Sequence, residues 1–319
     1  MHRRLLLAAS LAAPALARAA EAERVRVAIF NVTTVLPYHV AETRGIFRAH
    51  GIGAVPILLQ TPPLIVQAMV AEEADATTNL VTIEGANINL RRPGTALYFA
   101  LNGQNAEHRM EQFLVRPEST ARTLADLKGA RIMSAPGPAN MSAARFVLKS
   151  AGLQEGRDYQ LTEQPLGVQV GALAAGSFDA AYTIEPIATI ALSRGVARTL
   201  EAGVISTHLL GRRDALTWAS GPAVTRRFLE ARPEAAQRFA AAWAAALKMI
   251  GEDPSVRTLF ASHMNVPPDL AEAVPMLDFR MARDLTATDI ADFQKFIDIA
   301  VAQGVVRGPM EARSMLRPL

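Results

Sequence analysis

Two stretches of the sequence place polar side chains where a ligand could bind. In the first, residues 173–186 (LAAGSFDAAYTIEP), a helix that stops at Gly176 leads into a buried strand predicted at residues 179–182. The strand stops at Glu185 and Pro186, because proline cannot donate a hydrogen bond to a strand ladder. Ligands of open α/β sheets bind beyond the carboxyl ends of the strands. Tyr182 and Glu185 are therefore candidate ligand-binding residues, although Tyr182 could pack in the core and Glu185 could brace a hinge.

The second stretch, residues 134–142, places glycine and small residues directly before a predicted helix. The backbone N–H groups and the positive end of the helix dipole would face a cleft there, which suits an anion or a polar ligand. Pro136, Gly137, Asn140 and Ser142 are the candidates on this basis. The alternative interpretation is an ordinary turn from a strand to a helix.

Further candidates follow predicted strands or open predicted helices elsewhere in the chain. In chain order they are Asn31, Thr33, Thr34, His39, Thr61, Asn79 and Trp218. His39 could instead lie on a helix surface, and Trp218 could stack on a ligand or fill a hinge. The loops that carry the candidates are rich in hydroxyl and amide groups and contain no lysine or arginine. Because burying an unpaired charge is costly, we expect a neutral or singly charged organic ligand, heterocyclic or amine-bearing, ahead of nitrate or a sulfonate.

The sequence carries no pattern that is typical of catalysis or metal binding. Its six histidines are scattered without an HxxxH pair, and it has no cysteine, no GxSxG elbow and no Walker loop. We therefore expect no enzymatic activity, no metal and no cofactor. The lack of cysteine also excludes disulfides and a lipid anchor on an N-terminal cysteine.

Residues 1–19 have the order of features that is typical of an export signal. A basic start at Arg3 and Arg4 precedes an apolar run, residues 5–16, and then small residues that suit cleavage. Both Sec and twin-arginine export stay open. Arg3, Arg4 and Arg18 account for the whole net charge of +3, so the mature chain is close to neutral. Nucleic-acid binding, which needs a clustered basic face, is not expected.

Alternating strands and helices dominate the first two thirds of the chain. Predicted strands at residues 24–30, 54–59, 74–79 and 95–101 alternate with helices, of which the first spans residues 37–50. This alternation predicts an α/β fold with parallel sheets and right-handed crossovers. About 300 mature residues exceed one hydrophobic core and indicate two domains.

Three motifs in order resemble a known family. They are residues 36–52 (LPYHVAETRGIFRAHGI), the run Asp126, Leu127, Lys128, Gly129, and the 173–186 stretch. Together they resemble periplasmic solute-binding proteins of ABC importers, in the nitrate/sulfonate/taurine/thiamine-precursor (SsuA/NMT1/THI5-like) family. The resemblance implies a type II periplasmic binding protein fold, in which two lobes, each a mainly parallel sheet flanked by helices, are joined by two crossover segments.

The resemblance also implies how the chain is divided and what it does. Residues 20–108 and 217–319 would form lobe I, and residues 109–216 would form lobe II. The expected protein is a periplasmic monomer that binds a small solute between its lobes and delivers it to an inner-membrane ABC permease. An enzyme on the same fold, such as the pyrimidine-forming THI5 proteins, is the alternative; those proteins are intracellular and carry a cysteine-rich motif, whereas this chain has a predicted export signal and no cysteine.

Overall fold

The computed structural model describes residues 22–319, so the predicted export signal lies outside the described residues. Two β-sheets, each flanked by helices, form the described chain. We call the unit built on the larger sheet lobe I and the unit built on the smaller sheet lobe II. The chain passes from lobe I to lobe II through residues 105–110 and returns through residues 203–216.

The strands and helices are numbered in chain order. The strands are β1 Glu23–Phe30, β2 Ile52–Leu59, β3 Ala76–Val81, β4 Leu97–Tyr98, β5 Ala100–Gln104, β6 Glu111–Val115, β7 Arg131–Ser134, β8 Gln160–Glu163, β9 Ala180–Ile184, β10 Arg198–Ala202, β11 Thr217–Val224 and β12 Asp278–Met281. The helices are α1 Leu36–Thr43, α2 Ile46–Ala49, α3 Pro62–Val70, α4 Thr82–Arg91, α5 Pro138–Ser150, α6 Leu166–Ala174, α7 Ile187–Ser193, α8 Arg226–Ala231, α9 Pro233–Glu252, α10 Thr258–Met264 and α11 Ala287–Ala302.

Both sheets are mixed, with a parallel part and an antiparallel part. In lobe I the strand order is β12-β5-β11-β3-β1-β2, with β4 also paired to β11. Strand β1 is parallel to β2 and β3, whereas β11 is antiparallel to β3 and β5. In lobe II the order is β10-β6-β9-β7-β8; β7 is parallel to β8 and β9, and β6 is antiparallel to β9 and β10.

The sheets were expected to be mainly parallel, and the antiparallel pairs have a simple cause. Strands β6 and β11 each follow a passage between the lobes, so each enters its sheet from the edge that faces the other lobe. The strands of the βαβ units end at that same edge. The first residue of β6, Glu111, accordingly lies opposite Ile184, the last residue of β9.

Lobe I is closed by an aromatic cluster that joins distant parts of the sequence. Phe239 and Trp243 lie one turn apart on α9 and are fully buried. The ring of Phe239 stacks on Phe47 with centroids 5.4 Å apart, and Trp243 meets Phe99 edge to face at 5.8 Å. The C-terminal helices therefore complete the core that the N-terminal strands begin.

Some element bounds differ from those predicted. The helix predicted at residues 37–50 is divided into α1 and α2, because Gly45 takes a left-handed conformation with φ of 68°. The strand predicted at residues 179–182 extends to Ile184, and β12 has no predicted counterpart. Within residues 22–319, no helix is both long and apolar enough to span a membrane.

Candidate functional site

Two adjacent cavities lie between the lobes and share the lining residues Val81, Glu111 and Asn140. Each has a volume of about 50 Å³, which is room for roughly three or four water molecules. Val81 is the last residue of β3 in lobe I, and Asn140 lies in the first turn of α5 in lobe II. The lobes are therefore closed upon each other, with a narrow space left between them. We call the cavity that Asn79 lines the first cavity and the one that Phe296 lines the second cavity.

The lobe I side of the first cavity is polar. Asn79, near the end of β3, donates from Nδ2 to the carbonyl oxygen of Phe30 at 2.7 Å and to Oγ1 of Thr34 at 2.9 Å. Thr34 and Asn79 are 3% and 5% exposed, and both line this cavity. The hydrogen bonds fix the orientation of these side chains. This part of the cavity wall is thus held in place by contacts within lobe I.

The lobe II side is formed by the start of α5. Asn140 lines both cavities, and Ser142 lines the second. The side-chain amide of Asn140 donates to the carbonyl oxygen of Pro136 at 2.7 Å, which holds the turn against the helix. Gly137 precedes the helix with φ of 102°, a conformation that strongly favours glycine.

Glu111 is the charged residue at the centre of the site. Its side chain is 8% exposed and lines both cavities, and its Oε2 atom is buried without a hydrogen-bond partner. Its backbone N–H donates to Oε1 of Gln104 at 3.2 Å. Burial raises the pKa of the Glu111 carboxyl group to about 7. A carboxyl group that shares a cavity with amides and hydroxyls can accept a hydrogen bond from a ligand N–H group.

Glu111 and the polar cavity residues on the strands next to the passages were not predicted from the sequence. Asn102 and Gln104 on β5 and Ser220 on β11 also line the first cavity. The candidates were expected at the carboxyl ends of parallel strands, whereas Glu111 lies at the amino end of an antiparallel strand. A signal was present, since a glutamate opens the strand EQFLV, whose last three residues are apolar, directly after the passage between the lobes.

Several predicted site residues lie in the core beside the cavities. Tyr182 is fully buried, packs against Phe113 with ring centroids 5.2 Å apart, and has no hydrogen-bond partner for its hydroxyl group. Glu185 is 1% exposed and accepts hydrogen bonds from Nε2 of Gln112 at 2.7 Å and from the backbone N–H of Thr189 at 3.0 Å. Glu185 therefore braces the start of α7, which lies outside both passages between the lobes.

Trp218 is fully buried on β11 and fills the space above Gly103 on β5. A Cβ atom at Gly103 would lie 2.7 Å from Cζ3 of Trp218, so only glycine leaves room for the indole ring. Arg280 lies over the indole ring of Trp218, with Cζ 5.6 Å from the ring centroid. Trp218 thus packs within the lobe I sheet, and neither ligand contact nor a role in the hinge follows from this packing.

Asn31 and His39 form a separate contact within lobe I. Asn31 accepts a hydrogen bond from the His39 ring across 3.2 Å, and its Nδ2 atom donates to the carbonyl oxygen of His263. The rings of His39 and His263 lie 4.4 Å apart. Burial, together with the nearby His263, lowers the pKa of His39 to about 4, so the ring is neutral near pH 7. This pair ties α1 to α10.

The remaining candidates are structural neighbours of the cavities. Thr33 is buried and donates to Sδ of Met110, and Thr61 precedes the first residue of α3 without capping it through its side chain. Of the thirteen candidates, the structure thus brings Thr34, Asn79, Asn140 and Ser142 together at the cavities. Ligand contact stays a prediction for all of them. Among residues 22–319, no group of three or more His, Cys, Asp or Glu side chains could hold a metal ion.

Two α/β lobes joined by two passages, with a space between them, give the chain the architecture of a periplasmic binding protein fold. The chain belongs to the NMT1/THI5-like family, whose family model matches residues 32–256. This confirms the family resemblance that the three motifs indicate. Comparison with curated proteins gave no match.

Solved structures of low sequence identity share the whole fold. The alkanesulfonate-binding protein SsuA from Xanthomonas axonopodis pv. citri, solved with bound MOPS, is 21% identical, and the alignment covers 93% of this chain and 99% of that chain with a TM-score of 0.72. The periplasmic nitrate-binding protein NrtA from Synechocystis PCC 6803 is 12% identical, with 93% and 87% covered and a TM-score of 0.73. The desulfurization enzyme DSZB is 18% identical, with 93% and 96% covered and a TM-score of 0.69. At these identities the likeness shows the fold, which binding proteins and an enzyme share.

Proposed function

We propose that this protein is the periplasmic solute-binding component of an ABC importer. It binds a small organic solute reversibly between its lobes and presents the solute to an inner-membrane permease. The observation that carries the proposal is the closed space between the lobes, whose polar lining includes Thr34 and Asn79 from lobe I, Asn140 from lobe II and Glu111 from the end of the passage between them. The family match and the likeness to SsuA and NrtA support the same function.

Solute exchange requires the lobes to move apart. Spaces of about 50 Å³ are closed on most sides by protein, so a solute can enter only when lobe II rotates away from lobe I. Residues 105–110 and 203–216 are the covalent links, and they are the expected hinge. A cleft that closes on its ligand and opens again is what delivery to a permease needs.

The test is whether the protein returns its ligand unchanged. The mature protein, residues 20–319, is incubated with a mixture of small amines, heterocycles, sulfonates and nitrate, separated from free ligand and then denatured. Mass spectrometry and ion chromatography should recover an intact compound in up to equimolar amount. If a chemically converted product is recovered in molar excess over the protein, the protein is an enzyme and this proposal is wrong.

The enzymatic alternative has one specific observation in its favour, the likeness to DSZB. Ser150, His208 and Glu201 also form a hydrogen-bonded row on lobe II, with Oγ of Ser150 2.9 Å from Nδ1 of His208 and Nε2 of His208 2.6 Å from Oε1 of Glu201. However, Ser150 closes the C-terminal end of α5 and bonds back to the carbonyl oxygen of Val147 at 2.7 Å. The negative end of a helix dipole disfavours an oxyanion, so this row suits a surface contact better than hydrolysis.

A further inference from the structure

The buried carboxyl group of Glu111 restricts which solute the cleft can hold. Within the described chain, the residues that line the two cavities include no lysine, arginine or histidine, and Glu111 is their one acidic member. Its Oε2 atom is buried and has no hydrogen-bond partner. An acceptor in such a place is costly unless a ligand or water donates a hydrogen bond to it.

The groups around Glu111 do not supply a compensating positive charge. Tyr182 faces it from β9, and burial raises the pKa of this phenol well above its ordinary value, so the ring stays neutral. From β5, the neutral amide of Gln104 lies beside the Glu111 carboxyl group; burial raises the pKa of that group, and Gln104 lowers it by a smaller amount. Arg109 lies two residues before Glu111, but its positive charge acts on Glu185. Burial raises the pKa of Glu185, and Arg109 lowers it by a smaller amount. A sulfonate or nitrate in this space would meet a carboxyl group and no cation.

The two cavities differ in the chemistry of their walls. The first is lined by polar side chains, among them Asn79, Asn102 and Ser220, and by an equal number of apolar ones. The second is lined largely by apolar side chains, namely Ile83, Ile205, Leu209, Phe296, Ile299 and Val305. Glu111 lies where they meet. A solute that spans both spaces would have a polar head and an apolar body.

We infer that the cleft selects solutes that present an N–H donor, either a protonated amine or a heterocyclic N–H group, to Oε2 of Glu111 and an apolar portion to the second cavity. Alkanesulfonates and nitrate are disfavoured, in contrast to the ligands named for SsuA and NrtA. The inference rests on the proposed function, because it specifies the substrate class of the same cleft.

The experiment compares two probes that share one tail and differ in the head group. Calorimetry at pH 8 measures binding of hexylamine and hexane-1-sulfonate, with cytosine as a heterocyclic N–H donor and sodium nitrate as a small anion. Wild-type protein should bind hexylamine or cytosine at least tenfold more tightly than hexane-1-sulfonate or nitrate. Glu111→Gln keeps the size of the side chain and removes the charge, and it should reduce this preference at least tenfold.

Glu84→Gln is the matched control. Glu84 is a second buried carboxyl group without hydrogen-bond partners, and burial likewise raises its pKa to about 7, but it lines a different groove. Glu84→Gln could change how readily the lobes close, but such an effect would change the affinity for all four probes equally. The ratio of the hexylamine affinity to the hexane-1-sulfonate affinity should therefore stay as in the wild type. If hexylamine is the better ligand, its wild-type affinity should also fall about tenfold from pH 8 to pH 6, because Glu111 becomes protonated.

The outcomes separate the inference from the proposed function. Tighter binding of hexane-1-sulfonate or nitrate than of the N–H donors would overturn the inference and leave the function as a binding protein intact. An unchanged preference in Glu111→Gln would likewise overturn it. If none of the four probes binds wild-type protein, and the mixture of amines, heterocycles, sulfonates and nitrate also yields no ligand, the proposed function itself fails.

Discussion

Glu84 offers a quantitative test of how tightly the lobes are closed. The residue lies in the first turn of α4 in lobe I, and both of its carboxyl oxygens are buried without hydrogen-bond partners. A Cβ atom placed on Gly137 of lobe II would lie 3.8 Å from Oε1 of Glu84, so the carboxyl group packs against the opposite lobe. Burial raises its pKa from 4.5 to about 7.

The sign of the effect follows from this raised pKa. A carboxyl group with a raised pKa in the folded state keeps its proton up to a higher pH there than in the unfolded chain. As the pH rises from about 5 to 8, the folded protein must bury an ionised carboxylate, and the free energy of unfolding falls. The rise from 4.5 to about 7 corresponds to about 3 kcal/mol, because each tenfold change in the proton affinity of the carboxyl group is worth about 1.4 kcal/mol. Glu84→Gln removes this loss, and the contribution of Glu111 cancels because both proteins contain it.

Urea unfolding at pH 5, 6, 7 and 8 measures the difference. The variant should gain stability relative to wild type by about 2 to 3 kcal/mol between pH 5 and pH 8. Asp179→Asn is the control, because the hydrogen bonds from Arg131 hold the pKa of Asp179 below its usual range. That carboxylate stays ionised from pH 5 to 8, so its variant should differ from wild type by a constant amount. Parallel stability curves for wild type and Glu84→Gln would refute the reasoning, since they would mean that water reaches the Glu84 carboxyl group in solution.

Three further predictions concern the cleft, the core and the hinge. Asn140→Leu should weaken ligand binding at least tenfold, about 1.4 kcal/mol by calorimetry, because it removes the amide that lines both cavities; unaltered affinity would assign that amide to the turn alone. Phe239→Ala should lower the free energy of unfolding by about 3 to 5 kcal/mol, since the ring stacks on Phe47 in a fully buried cluster, and a loss below about 1 kcal/mol would contradict the packing described. Small-angle scattering should show a smaller radius of gyration with bound ligand than without it, and identical profiles would count against a hinge at residues 105–110 and 203–216.

The fold could be predicted because its signals are local and repeated. Each βαβ unit contains a buried strand, a turn and an amphipathic helix, and the stop signals lie within the unit, as at Gly176 before β9. Strand β12 was not predicted because its four residues, DFRM, alternate polar and apolar side chains over too short a run to distinguish a strand from a loop. It pairs with β5, about 175 residues earlier in the chain, so only the tertiary structure defines it.

The site was harder to predict because strand direction decides which residues face the cleft. For parallel strands the carboxyl end faces it, and this rule found Asn79 near the end of β3. For β6 the rule reverses, so Glu111 at the amino end lines the cavities instead. The type of a polar residue also does not tell whether its side chain contacts a ligand or only forms hydrogen bonds within the protein. Glu185 and Glu111 come close together through the pairing of β6 and β9, yet Glu185 is satisfied by Gln112 and Thr189, whereas Glu111 has an oxygen without a partner.

The interleaving of the two lobes in the sequence has a consequence for the order in which the protein folds. Strand β11, residues Thr217–Val224, lies between β3 and β5 in the lobe I sheet, although both of those strands are made more than 110 residues earlier. Lobe II, in contrast, takes its strands from one continuous segment, residues 111–202. During synthesis from the N-terminus, lobe II can complete its sheet while β3 still exposes an unpaired edge, which is a template for wrong pairing. A chain interrupted before residue 217 would therefore contain a folded lobe II beside an aggregation-prone, unfinished lobe I, and full-length chains pass through the same stage.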